Sequence, residues 1–284
     1  MASSITSQKN AIKVINRILS NYLKSQGNIR PHFLLSGKSG VGKSYLLEEM
    51  AKKHAIPFLN INAAQLTREG ISGNSLSKSL EGIKRLQNKP AIVLLDEFDK
   101  LFNGVNGGTG DERSGVQSEI LHIISSGTAQ LIGDYGHYME VSTRNILFVF
   151  AGAFLGEEQL SPEKLLKMGM FPELLGRVNI HVPIPDIDCA DLIKAMKADP
   201  LLAQYFFVNN IIESEQKTHI QDAIAIELEK QFKTNVIGYR LITRLIHQYF
   251  LYDGVFPVYE DSSSDGEDLV AASEEFTKQI VFGD

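Results

Sequence analysis

The chain has 284 residues, 43% of them hydrophobic and 22% charged, with a formal net charge of −6. This is enough chain for a sizeable core divided between two units, and the acidic balance excludes the global basic field that drives non-specific nucleic-acid binding. A single cysteine, Cys189, excludes an internal disulfide and a Cys-rich zinc cluster and fits a reducing compartment.

From the start, M-A-S-S-I-T-S-Q-K-N is polar and lacks a signal-peptide core, and the longest apolar run, Ile146 to Leu155, is too short to cross a bilayer. No membrane partner is expected, and a cytoplasmic location is the default. Ala11, Ile12, Val14, Ile15, Ile18, Leu19, Tyr22 and Leu23 recur at helical spacing and predict an amphipathic helix over 11–23. Short apolar runs at Phe33 to Leu35, Phe58 to Ile61 and Ala91 to Leu95 read as strands, separated by helical patterns at Ser44 to His54 and around Leu76 to Leu86. Such alternation predicts an α/β domain with a mostly parallel sheet covered on both faces. Residues 103–110, N-G-V-N-G-G-T-G, read as a loop. A helix over 116–124 and a hairpin over 129–141, broken at G-D-Y-G, precede a buried strand at Ile146 to Phe150. The sheet domain is expected to close near Pro183 to Pro185. From Asp186 the pattern turns helical, giving a large domain over 1–185, a smaller mainly helical domain over 186–258, and a solvated acidic tail over 259–284 that contains E-D-S-S-S-D-G-E-D.

Gly37 to Ser44 reads G-K-S-G-V-G-K-S and fits the phosphate-loop pattern G-x-x-x-x-G-K-S, with a strand before it and a helix opening at its end. In that setting the backbone N–H groups of Gly37, Lys38, Ser39, Gly40, Val41 and Gly42 turn inward on phosphates, helped by the helix dipole. Lys43 reaches the outer phosphates, and the Ser44 hydroxyl is a ligand for Mg²⁺. The strand A-I-V-L-L-D-E-F-D ends in Asp96 and Glu97. Alone, two acids at a strand exit are a solvated pair; beside a phosphate loop, Asp96 is suited to hold Mg²⁺ through water and Glu97 to polarise an attacking water. The expected ligands are therefore ATP and Mg²⁺.

Several further stretches resemble the AAA+ ATPases, and among them the ClpX-type protein unfoldases. T-S-Q-K-N-A-I-K-V-I near the start is similar to that family's I-G-Q-E-Q-A-K-K-V-L. S-G-V-Q-S-E-I-L-H-I-I-S-S-G-T (114–128), S-T-R-N-I-L-F-V-F-A-G-A-F (142–154) and G-M-F-P-E-L-L-G-R (169–177) resemble other segments of it in the same order. The resemblance runs from about residue 5 to about residue 250. It implies a P-loop AAA+ domain followed by a helical lid, and a homo-oligomeric ring, usually a hexamer, with ATP between neighbours and hydrolysis moving loops that line a pore. Arg177 takes the place of the arginine finger that completes the next subunit's site, and Ile5 and Thr6 match positions that contact adenine.

Departures from the family are equally specific. Ile71, within Gly70, Ile71, Ser72 and Gly73, stands where the pore loop carries an aromatic residue, which weakens the expected grip on a threaded polypeptide. The second pore loop would fall between Phe102 and Gly115. Ile237 stands where the lid has its phosphate-sensing arginine, whereas Arg240 matches a later arginine. No zinc-binding N-terminal domain is expected from the cysteine count. Between Phe154 and Met170 there is no I-G-F-like tripeptide, so a ClpP-like peptidase is not an expected partner. G-D-Y-G-H-Y (133–138) lacks the family's R-K-H cluster, and His137 reads as a hairpin-tip residue. The leading expectation is an ATP-hydrolysing remodeller of proteins or protein complexes. The alternatives are an AAA+ ATPase that loads or remodels nucleic-acid-bound complexes, disfavoured by the acidic balance, and a slowly hydrolysing nucleotide-gated scaffold.

Overall fold

The computed structural model describes residues 7–67, 74–86, 89–102, 110–132, 138–157 and 160–257. The expectations for Ile5, Thr6, the pore-loop residues Gly70 to Gly73, residues 103–109 of the glycine-rich loop, His137 and the acidic tail fall outside these residues; Gly110, expected to end that loop, opens a helix instead. Two compact units are distinguished, Met1–Ile246 and His247–Asp284. Among the described residues no helix is long and apolar enough to cross a membrane.

In chain order the first unit opens with α1 (Lys9–Lys24), β1 (Phe33–Ser36), α2 (Lys43–Lys53) and β2 (Phe58–Asn62). A short paired excursion follows, β3 (Leu66–Thr67) and β4 (Asn74–Ser75), then α3 (Leu76–Ser79) and β5 (Ala91–Asp96). Next come α4 (Gly110–Ser126), the antiparallel hairpin β6 (Thr128–Ile132) and β7 (Tyr138–Ser142), and β8 (Ile146–Gly152). Helices α5 (Pro162–Met168) and α6 (Pro172–Arg177) lead into β9 (Ile180–Pro183). Thereafter the regular structure is helical: α7 (Cys189–Lys197), α8 (Pro200–Val208), α9 (Ser214–Phe232) and α10 (Arg240–Leu251).

The central sheet has the order β2-β5-β8-β1-β9 with all neighbours parallel. All seven residues of β8 are buried, as are the first five of β5, as expected of strands covered on both faces. Parallel alignment puts the carboxyl ends of β1, β5 and β8 on one edge, where open α/β sheets bind ligands. Beneath that edge Phe98 packs edge-to-face on Phe150 (4.7 Å) and Phe102 (5.3 Å), an arrangement favoured by the ring quadrupoles.

Two further details differ from the sequence pattern. The helix expected around Leu76 to Leu86 is α-helical only to Ser79 and continues as 3₁₀ turns over Leu80–Leu86. Leu80 and Ile83 are both buried, and their i,i+3 spacing falls on one face of a three-residue turn. The fifth strand, I-H-V-P, carries no apolar run because it is a half-buried edge strand, held to β1 partly by a 2.6 Å hydrogen bond between Ser36 Oγ and His181 Nε2.

Buried polar groups fasten the sheet to its flanks. The Tyr22 hydroxyl of α1 donates to the carbonyls of Ala91 (2.8 Å) and Asn145 (2.5 Å). His32 is 6% exposed and accepts the Phe148 N–H at Nδ1 (3.1 Å). Burial, with a smaller push from Arg30, holds its pKa down to about 4, against an ordinary 6.5. The unfolded chain therefore takes up this proton at a higher pH than the folded one. Stability from this group is complete above pH 6.5 and is lost as pH falls towards 4, by on the order of 3 kcal/mol. Urea titrations between pH 7 and pH 4 should show this loss, and His32→Gln, whose amide oxygen can accept the same N–H, should flatten it. Tyr22→Phe should lower the unfolding free energy by about 1–2 kcal/mol at neutral pH, since it takes the hydroxyl donor away from the Ala91 carbonyl.

Candidate active site

The site grows from the end of β1. Its four residues are buried, and the chain leaves the sheet at Gly37 and turns back into α2 at Lys43. Gly40 and Gly42 both have φ in the left-handed region, +79° and +85°, where a side chain is strained. Lys43 opens α2 and is only 9% exposed; its Nζ donates to the loop's own carbonyls at Gly37 (2.7 Å) and Lys38 (2.9 Å). Burial pulls its pKa below the ordinary lysine value, while Asp96 and Asp99 pull it back up. Its charge thus sits in a shielded pocket with acids facing it.

Ser44 and Asp96 converge. The Ser44 hydroxyl donates to Asp96 Oδ2, and Asp96 Oδ1 accepts the Glu97 N–H (2.9 Å). Glu97 itself is exposed and adopts φ 55°, a left-handed conformation rare for a residue with a side chain and enriched at functional sites. Together these groups line a cleft of about 390 Å³ that Tyr239 and Arg240 also border.

Three contributors went unread in the sequence. Asp99, 3% exposed, accepts the N–H groups of Ala153 and Phe154 (both 3.3 Å) and lies near Lys100 (3.7 Å). It anchors the end of β8, where Phe154 and Leu155 both have positive φ. The third acid of D-E-F-D was visible, but its partners lie in the distant turn after β8. Gln8, 1% exposed, donates from Nε2 to the Val41 carbonyl (3.0 Å) and bridges α1 to the phosphate loop. Tyr239 is the third. Its N–H donates to the Gly40 carbonyl (2.9 Å), and its ring lies over Gly42. Burial, together with the neighbouring Asp191, raises its pKa, and its buried hydroxyl has no hydrogen-bond partner among the described residues.

Ile237, which replaces the expected arginine, packs its carbonyl against Gly40. Arg240 borders the cleft and depresses the Lys43 pKa through its charge. Arg177 is exposed at the end of α6 and is not among the cleft-lining residues. It precedes β9, whose first residue, Ile180, pairs with Phe33 at the start of β1, whereas the phosphate loop leaves the other end of that strand. Arg177 therefore lies towards the sheet edge opposite its own cleft.

Residues 33–174 match the model of the ATPase family associated with various cellular activities (AAA), half of the 284-residue chain. The chain belongs to this family. Among curated relatives it is 26% identical over 255 residues to the ATP-dependent Clp protease ATP-binding subunit ClpX of Treponema denticola, covering 73% of this chain and 59% of that protein. It is 28% identical over 225 residues to the Azotobacter vinelandii protein of that name (62% and 51%), and 23% identical over 292 residues to ClpX 2 of Wolinella succinogenes (87% and 73%). The chain thus spans little more than half the length of the first two. The fold is the α/β AAA arrangement that the sequence pattern and the resemblance led us to expect.

A Cβ on Gly40 would lie 2.1 Å from the Ile237 carbonyl, whereas one on Gly156, also at positive φ, would meet nothing within 4 Å among the described residues. Gly156→Ala should therefore cost only the backbone strain, about 1 kcal/mol. Gly40→Ala should cost clearly more and should weaken nucleotide binding about tenfold or more; thermal melts and nucleotide titrations of the two variants make the comparison.

Proposed function

We propose that the chain is an ATP-hydrolysing remodeller of proteins or protein complexes that acts as a cytoplasmic homo-oligomeric ring, without a ClpP-like peptidase. The observation that carries the reading is the convergence of the phosphate loop, the Ser44–Asp96 pair and Glu97 in one cleft. The residues fit Mg²⁺, since Ser44 and Asp96 offer hard oxygen donors and already meet each other. When bound, Mg²⁺ neutralises charge on the outer phosphates.

In this reading the loop N–H groups and the α2 dipole bind the phosphates, and Lys43 exchanges the Gly37 and Lys38 carbonyls for phosphate oxygens. Its confinement against those carbonyls keeps it close to that position. Glu97 orients the attacking water and takes its proton. Arg177, lying away from its own cleft, stabilises the transition-state charge in a neighbour's. The division into an ATP-binding domain (1–185) and a lid (186–258) belongs to the same proposal, with the 237–240 segment carrying the nucleotide state between them. Gly70 to Gly73, with Ile71, would contact the client, and Ile5 and Thr6 the adenine.

A second reading, the nucleotide-gated scaffold, is favoured by one observation: the 237–240 segment is bound to the phosphate loop by a backbone hydrogen bond and offers Ile237 where a cation is expected.

Lys43→Ala should abolish nucleotide binding at micromolar concentrations. Glu97→Gln should retain binding and slow hydrolysis by roughly a hundredfold or more, which an ATPase assay beside a nucleotide titration will distinguish. Affinity capture with Glu97→Gln in ATP should hold a protein client. A wild-type protein that assembles but shows no turnover moves the choice to the scaffold.

A further inference from the structure

Gln117 lies in α4 and is fully buried, yet it borders no part of the nucleotide cleft. Its side-chain amide is satisfied on every side. Nε2 donates to the carbonyls of Gly169 (3.0 Å) and Leu101 (3.4 Å), and Oε1 accepts the Phe171 N–H (3.1 Å). Two carbonyls and one N–H as partners leave only one orientation for the amide.

Those partners are not a random set. Leu101 ends the 3₁₀ turn Phe98–Leu101 that directly follows Glu97. Gly169 is the left-handed cap that ends α5, and Phe171 is the N-cap of α6, whose other end carries Arg177. Phe171 makes no side-chain capping bond, and Pro172 at the first helical position has no N–H to offer. The direction in which α6 leaves is therefore set by the backbone groups of Gly169 and Phe171, which Gln117 holds between its two amide atoms. Met170, between them, and Leu174 of α6 are buried, so α6 pivots on a fixed hydrophobic base with one polar clamp.

We infer that Gln117 is a positioning residue for Arg177: it ties the turn behind the Glu97 acid to the start of α6 and so fixes where Arg177 is presented. The inference rests on Arg177 acting in a neighbouring subunit's site, and its test keeps the two apart. Met matches Gln in shape but cannot make these bonds, so Gln117→Met should lower kcat about tenfold or more while leaving nucleotide affinity within about twofold.

A structural defect would not be repaired by a neighbour, whereas a misplaced finger is. Full-length Gln117→Met should be mixed with Lys43→Ala, which lacks a working site but keeps its Arg177, under assembly conditions. The Lys43→Ala subunits then supply the missing finger, and ATPase rises above the sum of the separate proteins. Arg177→Ala mixed with Lys43→Ala should be repaired likewise. Glu97→Gln mixed with Lys43→Ala should not, because both lesions act in their own subunit. Repair of Arg177→Ala but not of Gln117→Met overturns this inference alone. Failure to repair Arg177→Ala removes the finger reading and the inference with it, and normal turnover by Gln117→Met also overturns the inference. Should Gln117→Met not fold, Gln117→Glu, which keeps the acceptor for Phe171, carries the same test.

Discussion

The hydrogen bond between Ser44 and Asp96 depends on the placement of β8. The two residues are separated by 52 positions and by a whole strand, since β8 lies between β1 and β5. They meet because β1, β8 and β5 run parallel and end on the same side of the sheet, where the loop after β1 turns into α2 and brings Ser44 to Asp96 at the end of β5. Seven consecutive buried residues in β8 enforce that alignment through packing on both faces. The hydroxyl and carboxylate meet because the hydrophobic sheet sets the end of β5 beside the start of α2.

What could be read beforehand followed from locality. The phosphate loop is contiguous, and its neighbours announce a strand and a helix through apolar periodicity. Asp96 and Glu97 were legible because they end an apolar run. Asp99, Gln8, Gln117 and Tyr239 were not, because each acts through a backbone group far away in sequence, and nothing in a polar residue's own neighbourhood shows which distant amide or carbonyl it meets. The edge strand β9 and the 3₁₀ turn at Leu80–Leu86 escaped for a related reason, their conformations being set by pairing and packing partners and only weakly by their composition.

Strain and restraint are distributed in a consistent way around the cleft. Glu97 has a left-handed backbone on one side, and Phe154 and Leu155 do on the other; Asp99 spans the gap by accepting from the turn after β8. Conformations costing on the order of 1–3 kcal/mol persist where the surroundings over-determine them. Here the over-determination comes from a buried carboxylate and the phenylalanine cluster beneath it. The acid end of β5 and the turn beyond β8 are thereby mechanically one piece.

The contact between Tyr239 and Gly40 joins main chain to main chain, so it is indifferent to most side-chain substitutions and sensitive to the spacing of the two segments. Its thermodynamic corollary is reciprocity. If a phosphate in the loop loosens this contact by some factor, then any outside influence that closes the 237–240 segment must weaken phosphate binding by the same factor. Nucleotide exchange would then be set as much by what touches that segment from outside as by the loop proposed to hold the phosphates.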